Sequence, residues 1–370
     1  MQRIAPRDLF VEVGYGPNFA DQLIQNAFSQ LFEGDPIDER ICFDASDDMS
    51  YIIDIGHDDI RSEGMSYGMF IAALTGHDKL FQKLWNFAKK YLRNNSGPHQ
   101  GFFSWQVSTT DFSMMDPGAA PDGEEYIAAA LLIAAKKFNR DDYKQEAIEL
   151  INCMMDKPVN ELVGPMIDHK QMLIKFSPVL GNDFTNPSYH TFAFYRAYAE
   201  ATGDNRWLQV LDKSLEYIQK AAHPETGLCG DYSEYDGTPK AMPWFPESNC
   251  FSGDAWRVAL NLSVDYSLFR GHECEKEICT RLLNFFHNRR PYLADYATDG
   301  SPYPHQGRNA TPGIIAMNAA ATQVLDQGDP LITPFVKDLA ALSVPYRFWR
   351  YYDGMLYIIG LLATAGKIEF

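Results

Sequence analysis

Nearly uncharged segments recur along this 370-residue chain, at intervals of roughly 60 residues. They run over Gly64–Gly76, Tyr126–Ala135, Ser188–Ala199, Ala255–Val264, Thr311–Leu325 and Gly354–Gly366. A helix that is apolar all round is buried. Each of the first five leads into a polar turn, near Gly76-His77-Asp78, Asn139-Arg140-Asp141, Gly203-Asp204-Asn205, Gly271-His272-Glu273 and Gly328-Asp329-Pro330. A segment with a single apolar stripe follows. Phe81, Leu84, Trp85, Ala88, Tyr91 and Leu92 recur at helical spacing, as do Leu208, Leu211, Leu215 and Ile218, which predicts helices with one wet face. Phe19–Phe32 supplies an outer partner for the unpaired sixth segment. The pattern therefore predicts an all-α chain, an (α/α)6 barrel of six inner and six outer helices, as a single domain over residues 1–370. The same hairpins also suit an open α-solenoid, which needs polar capping repeats. Length alone allows two domains, but no linker marks a division.

Stretches rich in Gly, Pro and aromatic residues, Asn94–Asp122, Pro224–Gly253 and Asp295–Pro312, join an outer helix to the next inner one. Long ordered loops on one face of a scaffold are where function concentrates. In such a barrel the inner helices run parallel, so their N-termini meet at one mouth beside these loops. The starts read Ser62-Glu63-Gly64, Pro121-Asp122-Gly123, Asn186-Pro187-Ser188-Tyr189, Gly253-Asp254-Ala255, Thr311-Pro312-Gly313 and Tyr352-Asp353-Gly354. Four of the six carry a carboxylate. Asp is a favoured N-cap and carboxylates complement the helix dipole, so capping is a sufficient reading of Asp122 and Asp353. Glu63 is different, because Glu caps poorly and Ser62 beside it can take that role. Asp254 precedes Ala255-Trp256-Arg257, whose bulk at a helix start predicts a shaped pocket.

Convergent carboxylates among aromatics (Trp105, Phe102, Phe103, Tyr189, Trp244, Phe245, Phe251, Tyr303, Tyr351 and Tyr352) match the needs of glycosidic bond hydrolysis. One protonated carboxyl donates to the leaving oxygen, one carboxylate activates water, and aromatic faces stack on sugar rings. The positive end of a helix dipole suits an ionised base such as Asp254. Glu63, as the acid, needs burial or a neighbouring carboxylate to hold its proton.

Acidic residues outnumber basic ones 49 to 32, a formal charge of −17, which excludes phosphate-tracking surfaces and leaves nucleic acid and anionic membrane as poor partners. No uncharged stretch reaches the ~18 apolar residues of a membrane span. Six cysteines without a Cys-x-x-Cys pair argue against a disulfide framework or a zinc ribbon. Gly64-Met65-Ser66-Tyr67-Gly68 matches a nucleophile elbow, yet eight residues separate it from the candidate strand Tyr51–Ile55, where an elbow has none. His57-Asp58-Asp59 and His272-Glu273-Cys274 lack helical ligand spacing and read as turn residues. Gly14-Tyr15-Gly16 is too short for a dinucleotide fingerprint, and no Walker A sequence exists.

Arg61-Ser62-Glu63-Gly64-Met65-Ser66-Tyr67-Gly68-Met69, Ala120-Pro121-Asp122-Gly123-Glu124, Asn186-Pro187-Ser188-Tyr189-His190, Gly253-Asp254-Ala255-Trp256-Arg257 and Tyr351-Tyr352-Asp353-Gly354 together resemble glycoside hydrolase family 8. The likeness covers nearly the whole chain and is greatest to the family's reducing-end xylose-releasing exo-oligoxylanases. It implies an (α/α)6 barrel, inversion at the anomeric carbon, and no metal or cofactor. By position it implies Glu63 as general acid, Asp254 as the base that activates water, Tyr189 as holder of that water, and Asp122 as the residue that binds and distorts the sugar. Trp105 and Tyr352 fall at stacking positions, with ordinary packing as the plain alternative, and Arg257 braces the base or contacts substrate. Tyr303-Pro304-His305-Gln306-Gly307-Arg308 lies where a loop closing the leaving-group side would arise, with His305 toward the reducing-end hydroxyl. An open cleft would instead imply an endo-acting xylanase or glucanase, and lost chemistry a non-catalytic sugar-binding protein. The opening Met1-Gln2-Arg3-Ile4-Ala5-Pro6-Arg7-Asp8 has no apolar leader run. The expectation is a cytoplasmic monomer acting on imported xylo-oligosaccharides, without nucleic-acid or membrane partners.

Overall fold

The structure, a computed structural model, describes residues 3–370. Six inner helices cover Ser62–Thr75, Pro121–Phe138, Phe192–Thr202, Trp256–Phe269, Pro312–Ala321 and Tyr352–Thr364. Their residues are buried almost throughout, as apolar all-round segments require. Each packs on the next in chain order, and the sixth packs on the first, so the ring closes and the open solenoid is excluded. Outer helices cover Asp78–Phe87, Asp141–Asp156, Arg206–Ala221, Glu273–His287 and Ile332–Ala340, each returning along its inner partner. Phe19–Phe28 packs on Tyr352–Thr364 and completes the outer ring, as its stripe predicts. This is an (α/α)6 barrel. Among the described residues no helix is long and apolar enough to cross a membrane.

The turn residues end the inner helices for a steric reason. Gly76, Asn139, Gly203 and Arg270 stand at the C-caps with positive φ, the left-handed conformation that closes a helix. Gly271 was the expected turn glycine at the fourth of these, but Arg270 takes the left-handed position. Other boundaries differ where side chains compete with the backbone. The third inner helix begins at Phe192 rather than Ser188, because the Asn186 side chain accepts from Ser188 N at 2.9 Å and Ser188 Oγ at 2.7 Å and draws Pro187–Tyr189 into a 3-10 turn. The outer segment Phe19–Phe32 is α-helical only to Phe28, and Ser29–Glu33 continues it as a π turn.

Short antiparallel ladders at the mouth went unread in the sequence, since two or three residues cannot show an alternating pattern. Asp59–Arg61 pairs with Gln106–Ser108, which pairs with Met114–Asp116. Arg61 lies opposite Gln106, and Ser62 N donates to Trp105 O at 3.1 Å. Phe184–Thr185 pairs with Ser233–Glu234. The first ladder fixes the entry to the first inner helix; the second brings the segment before Asn186 against the connection that follows the helix Arg206–Ala221.

Where the fifth and sixth inner helices touch, a Cβ on Gly360 would stand 2.6 Å from the Ala316 Cβ and 2.9 Å from its carbonyl oxygen. That backbone cannot yield as a flexible side chain would. Gly360→Ala is expected to lower unfolding stability by about 1–2 kcal/mol despite the better helix propensity of Ala, read as a lower urea midpoint at unchanged slope.

Candidate active site

Arg257, in the first turn of the fourth inner helix, is buried at the centre of the mouth. Nη1 donates to Asp122 Oδ2 at 2.6 Å and to the Tyr67 hydroxyl at 2.7 Å, and lies 3.5 Å from Glu63 Oε2. Nη2 forms an ion pair with Asp254 Oδ1 at 3.2 Å. The guanidinium also stands 5.8 Å from the Tyr189 ring centroid. One cation thus gathers carboxylates from three different inner-helix starts. A single positive charge cannot neutralise three negative ones in a desolvated site. Burial pushes the Glu63 carboxyl up to about 8; the Arg257 charge opposes this, and the charges of Asp122 and Asp254 add to it. A carboxyl raised in this way suits the acid role expected of Glu63. Asp122 is likewise raised by burial, against the pull of Arg257.

Asp254 occupies a different setting. It precedes the helix rather than lying in it, and Oδ2 accepts from Asn186 Nδ2 at 2.7 Å. Its side chain keeps 30% of its exposure, against 21% for Glu63 and 3% for Asp122. Glu63 and Asp254 thus meet different nitrogens of one guanidinium, and both remain partly exposed. Glu63 owes its place to the ladder that holds Arg61, and to Gly64, whose missing side chain admits the Tyr351 ring; a Cβ there would stand 2.6 Å from it.

Other expected residues divide between the site and the core. Tyr189 is buried beside Arg257. The Tyr352 hydroxyl donates to Gly253 O at 2.8 Å, which ties the sixth helix start to the turn carrying Asp254. Trp105 is half-buried next to Ser62, with the Arg61 guanidinium 5.6 Å from its ring centroid. Phe102, Phe103, Phe251 and Tyr351 are buried core residues and offer no face to a ligand, whereas Trp244 is exposed. His305 stands outside the Arg257 cluster, exposed, with Nε2 2.6 Å from Glu247 Oε1.

The expected capping roles are redistributed. Arg61, not Ser62, occupies the first N-cap, and Ser62 Oγ has no hydrogen-bond partner. Asp122 and Asp353 lie inside their own helices, at positions capped by Ala120 and Tyr351. Asp353 Oδ1 instead accepts from Gly313 N at 2.7 Å and so caps the neighbouring fifth helix. Ser66 Oγ is spent on Glu63 O at 2.8 Å, which removes the nucleophile elbow. His57 is exposed beside Asp54, and His272 caps the outer helix Glu273–His287, its N–H donating to Glu275 Oε2 at 3.1 Å. Among the described residues no three His, Cys, Asp or Glu side chains cluster to hold a metal.

Three participants escaped the sequence reading: Tyr67, Asn186 and Asp231. Tyr67 and Asn186 sit within motifs already singled out, and helical spacing from Glu63 to Tyr67 was the available signal. Asp231 lies in a loop with no pattern to mark it. A cavity of about 1060 Å³ opens at the opposite end of the barrel, lined by Leu74, Ile133 and Leu362 near the inner-helix C-termini. It is remote from Glu63 and Asp254.

Paired carboxyls of this kind serve acid and base catalysis on a glycosidic bond, and comparison with known proteins gives the same class, a glycoside hydrolase. The family model described as glycosyl hydrolases family 8 matches residues 52–365, and the chain belongs to that family. It is 33% identical over 376 residues to the reducing end xylose-releasing exo-oligoxylanase of Halalkalibacterium halodurans, covering 98% of this chain and 94% of that protein. It is 32% identical to the corresponding enzyme Rex8A of Paenibacillus barcinonensis, over 97% of this chain and 95% of the other. A family 8 xylanase from Teredinibacter turnerae, solved as a catalytic mutant with xylohexaose, superimposes with a TM-score of 0.92 at 34% identity, covering 99% of this chain and 97% of that one.

Removing the cation leaves Asp122 buried without its counter-charge. Arg257→Met is expected to cost about 3–5 kcal/mol of stability at pH 7. Because the orphaned Asp122 carboxyl then holds its proton more tightly folded than unfolded, the deficit shrinks as pH falls toward 5. Denaturant unfolding at the two pH values reads both effects.

Proposed function

We propose that this protein is an inverting hydrolase that releases xylose from the reducing end of short β-1,4-xylo-oligosaccharides. The observation that carries the reading is the unequal surroundings of two carboxyls on Arg257: Glu63 is raised to about 8 by burial and by the Asp122 and Asp254 charges, while Asp254 stands ahead of its helix and accepts from Asn186. Glu63 gives its proton to the glycosidic oxygen as the bond to the anomeric carbon breaks. Asp254 takes a proton from a water whose oxygen attacks that carbon from the opposite face, so a β-linkage yields an α-anomer. Tyr189 holds that water, and Asp122 binds and distorts the sugar whose bond is cut. Trp105 and Tyr352 present faces to sugar rings, while Arg257 fixes acid, base and Asp122 relative to one another.

Release of a single sugar requires a closed leaving-group side. Tyr303–Arg308 supplies it in this reading. Arg308 is anchored to Asp295 at 2.6 and 2.8 Å and lies 4.9 Å from the Trp256 ring centroid, and His305 meets Glu247 from another long connection. His305 then faces the hydroxyl of the reducing-end sugar. The names of the two curated relatives support this choice. We place the enzyme in the cytoplasm as a monomer, with residues 1–370 as one catalytic domain. Six free thiols fit a reducing compartment, and packing of the helix Phe19–Phe28 on the helix Tyr352–Thr364 ties the two ends of the chain together.

Proton NMR of a fresh xylotriose digest should show the α-anomer at the new reducing end. With xylotetraose labelled at the original reducing end, xylose should carry the label; labelled xylobiose as the main product would establish endo action. Glu63→Ala and Asp254→Asn should each lower kcat at least ~10³-fold with native circular dichroism, consistent with loss of an acid or base. Since Glu63 acts protonated, kcat/KM should fall as pH rises through about 8.

A further inference from the structure

We propose that Asp231 is the positioning residue of the general base: its buried carboxyl group clamps the turn that carries Asp254 and so sets the direction in which that base faces. Asp231 lies in the long connection between the helix Arg206–Ala221 and the fourth inner helix, remote in sequence from every motif at the mouth, and is 1% exposed. Oδ1 accepts from Ser252 N at 3.2 Å and from Ala255 N at 2.8 Å, and Oδ2 accepts from the Ser252 hydroxyl. These donors come from two residues before Asp254 and one after it. The carboxyl group therefore straddles the base without touching the face that Asp254 turns to Asn186 and Arg257.

The other groups of the turn are also held. Trp256 N donates to Ser252 O at 3.2 Å, Arg257 N to Asp254 O at 3.2 Å, and Tyr352 Oη to Gly253 O at 2.8 Å. Asp231 supplies the acceptor for the two outermost amides, Ser252 N and Ala255 N. Its own place is fixed because Asp231 N donates to Cys250 O at 2.8 Å and Tyr232 N to Ser248 O at 2.7 Å, while Ser233 pairs with Thr185 next to Asn186. One strand pair thus carries both residues that control Asp254, Asn186 for its side chain and Asp231 for its backbone.

The clamp demands an acceptor at Oδ1, where two backbone amides converge. Burial, with the Asp254 charge adding to it, pushes the Asp231 carboxyl up to about 8, and the Ser252 hydroxyl can donate to Oδ2 or accept from it; an amide keeps this pattern, whereas a methyl group removes it. Loss of the clamp lets the turn shift, and a displacement of ~1 Å at a reacting group costs on the order of 10²-fold in rate. The proposal rests on Asp254 being the base.

The test compares Asp231→Ala and Asp231→Asn with wild type, Glu63→Ala and Asp254→Asn, on xylotriose and on β-xylobiosyl fluoride, whose leaving group needs little protonation. Asp231→Ala should lose ~10²-fold in kcat with KM within ~3-fold, and Asp231→Asn, which keeps the Oδ1 acceptor, should restore most of it. The loss should persist on the fluoride, as it does for Asp254→Asn, while Glu63→Ala recovers there. A folded Asp231→Ala with kcat within threefold of wild type, or a loss recovered on the fluoride, would overturn the proposal. Should that variant fail to fold, Ser252→Ala decides: it removes one of the three donors and should lower kcat several-fold at unchanged KM, and an unchanged kcat overturns the clamp. A full-activity Asp254→Asn would instead refute the assignment of the base and leave the clamp without an object.

Discussion

A guanidinium taken out of water is costly unless charged partners repay it, and the mouth of this barrel is organised around that constraint. Arg257 meets Asp122, Glu63 and Asp254 from three helix starts, with Tyr67 taking a further hydrogen bond. The repayment is lopsided, since three carboxylates face one cation. The excess negative charge and the burial act together to hold a proton on Glu63. Both Glu63 and Asp254 lean on the same buried arginine, and Asp254 has Asn186 as a further partner.

The ring of inner helices makes that imbalance possible, because only a closed ring brings starts so far apart in sequence within reach of one side chain. The small ladders then trim the result. The one that pairs Arg61 with Gln106 sets Glu63 and Trp105 side by side, and the one that pairs Thr185 with Ser233 sets Asn186 beside Asp231. Helices supply the frame, and a few paired residues in the connections adjust where each carboxyl points.

The frame was legible in the sequence because its signals are long: uncharged stretches of ten or more residues, and apolar stripes sustained over several turns. Glu63 and Asp254 were legible because they stand at the start of such stretches with no adequate structural excuse. Asp122 and Asp353 could not be resolved in that way, since Asp at a helix start reads as a cap; the structure gives one to Arg257 and the other to Gly313 of the neighbouring helix. Asp231 gave no signal at all, for its partners are backbone amides and one hydroxyl some twenty residues onward. The aromatics misled in part. Phe102, Phe103 and Phe251 have the composition of a sugar platform, but their loops fold them inward as core.

At this mouth the residue that secures a helix start belongs to some other element: Asp353 secures the fifth helix, Asp231 and Tyr352 the fourth, and the strand beside Trp105 the first. No helix hairpin carries its own share of the chemistry in finished form. Two of these supports, Asp353 and Tyr352, ride on the last inner helix. The mouth is therefore whole only with that helix in place.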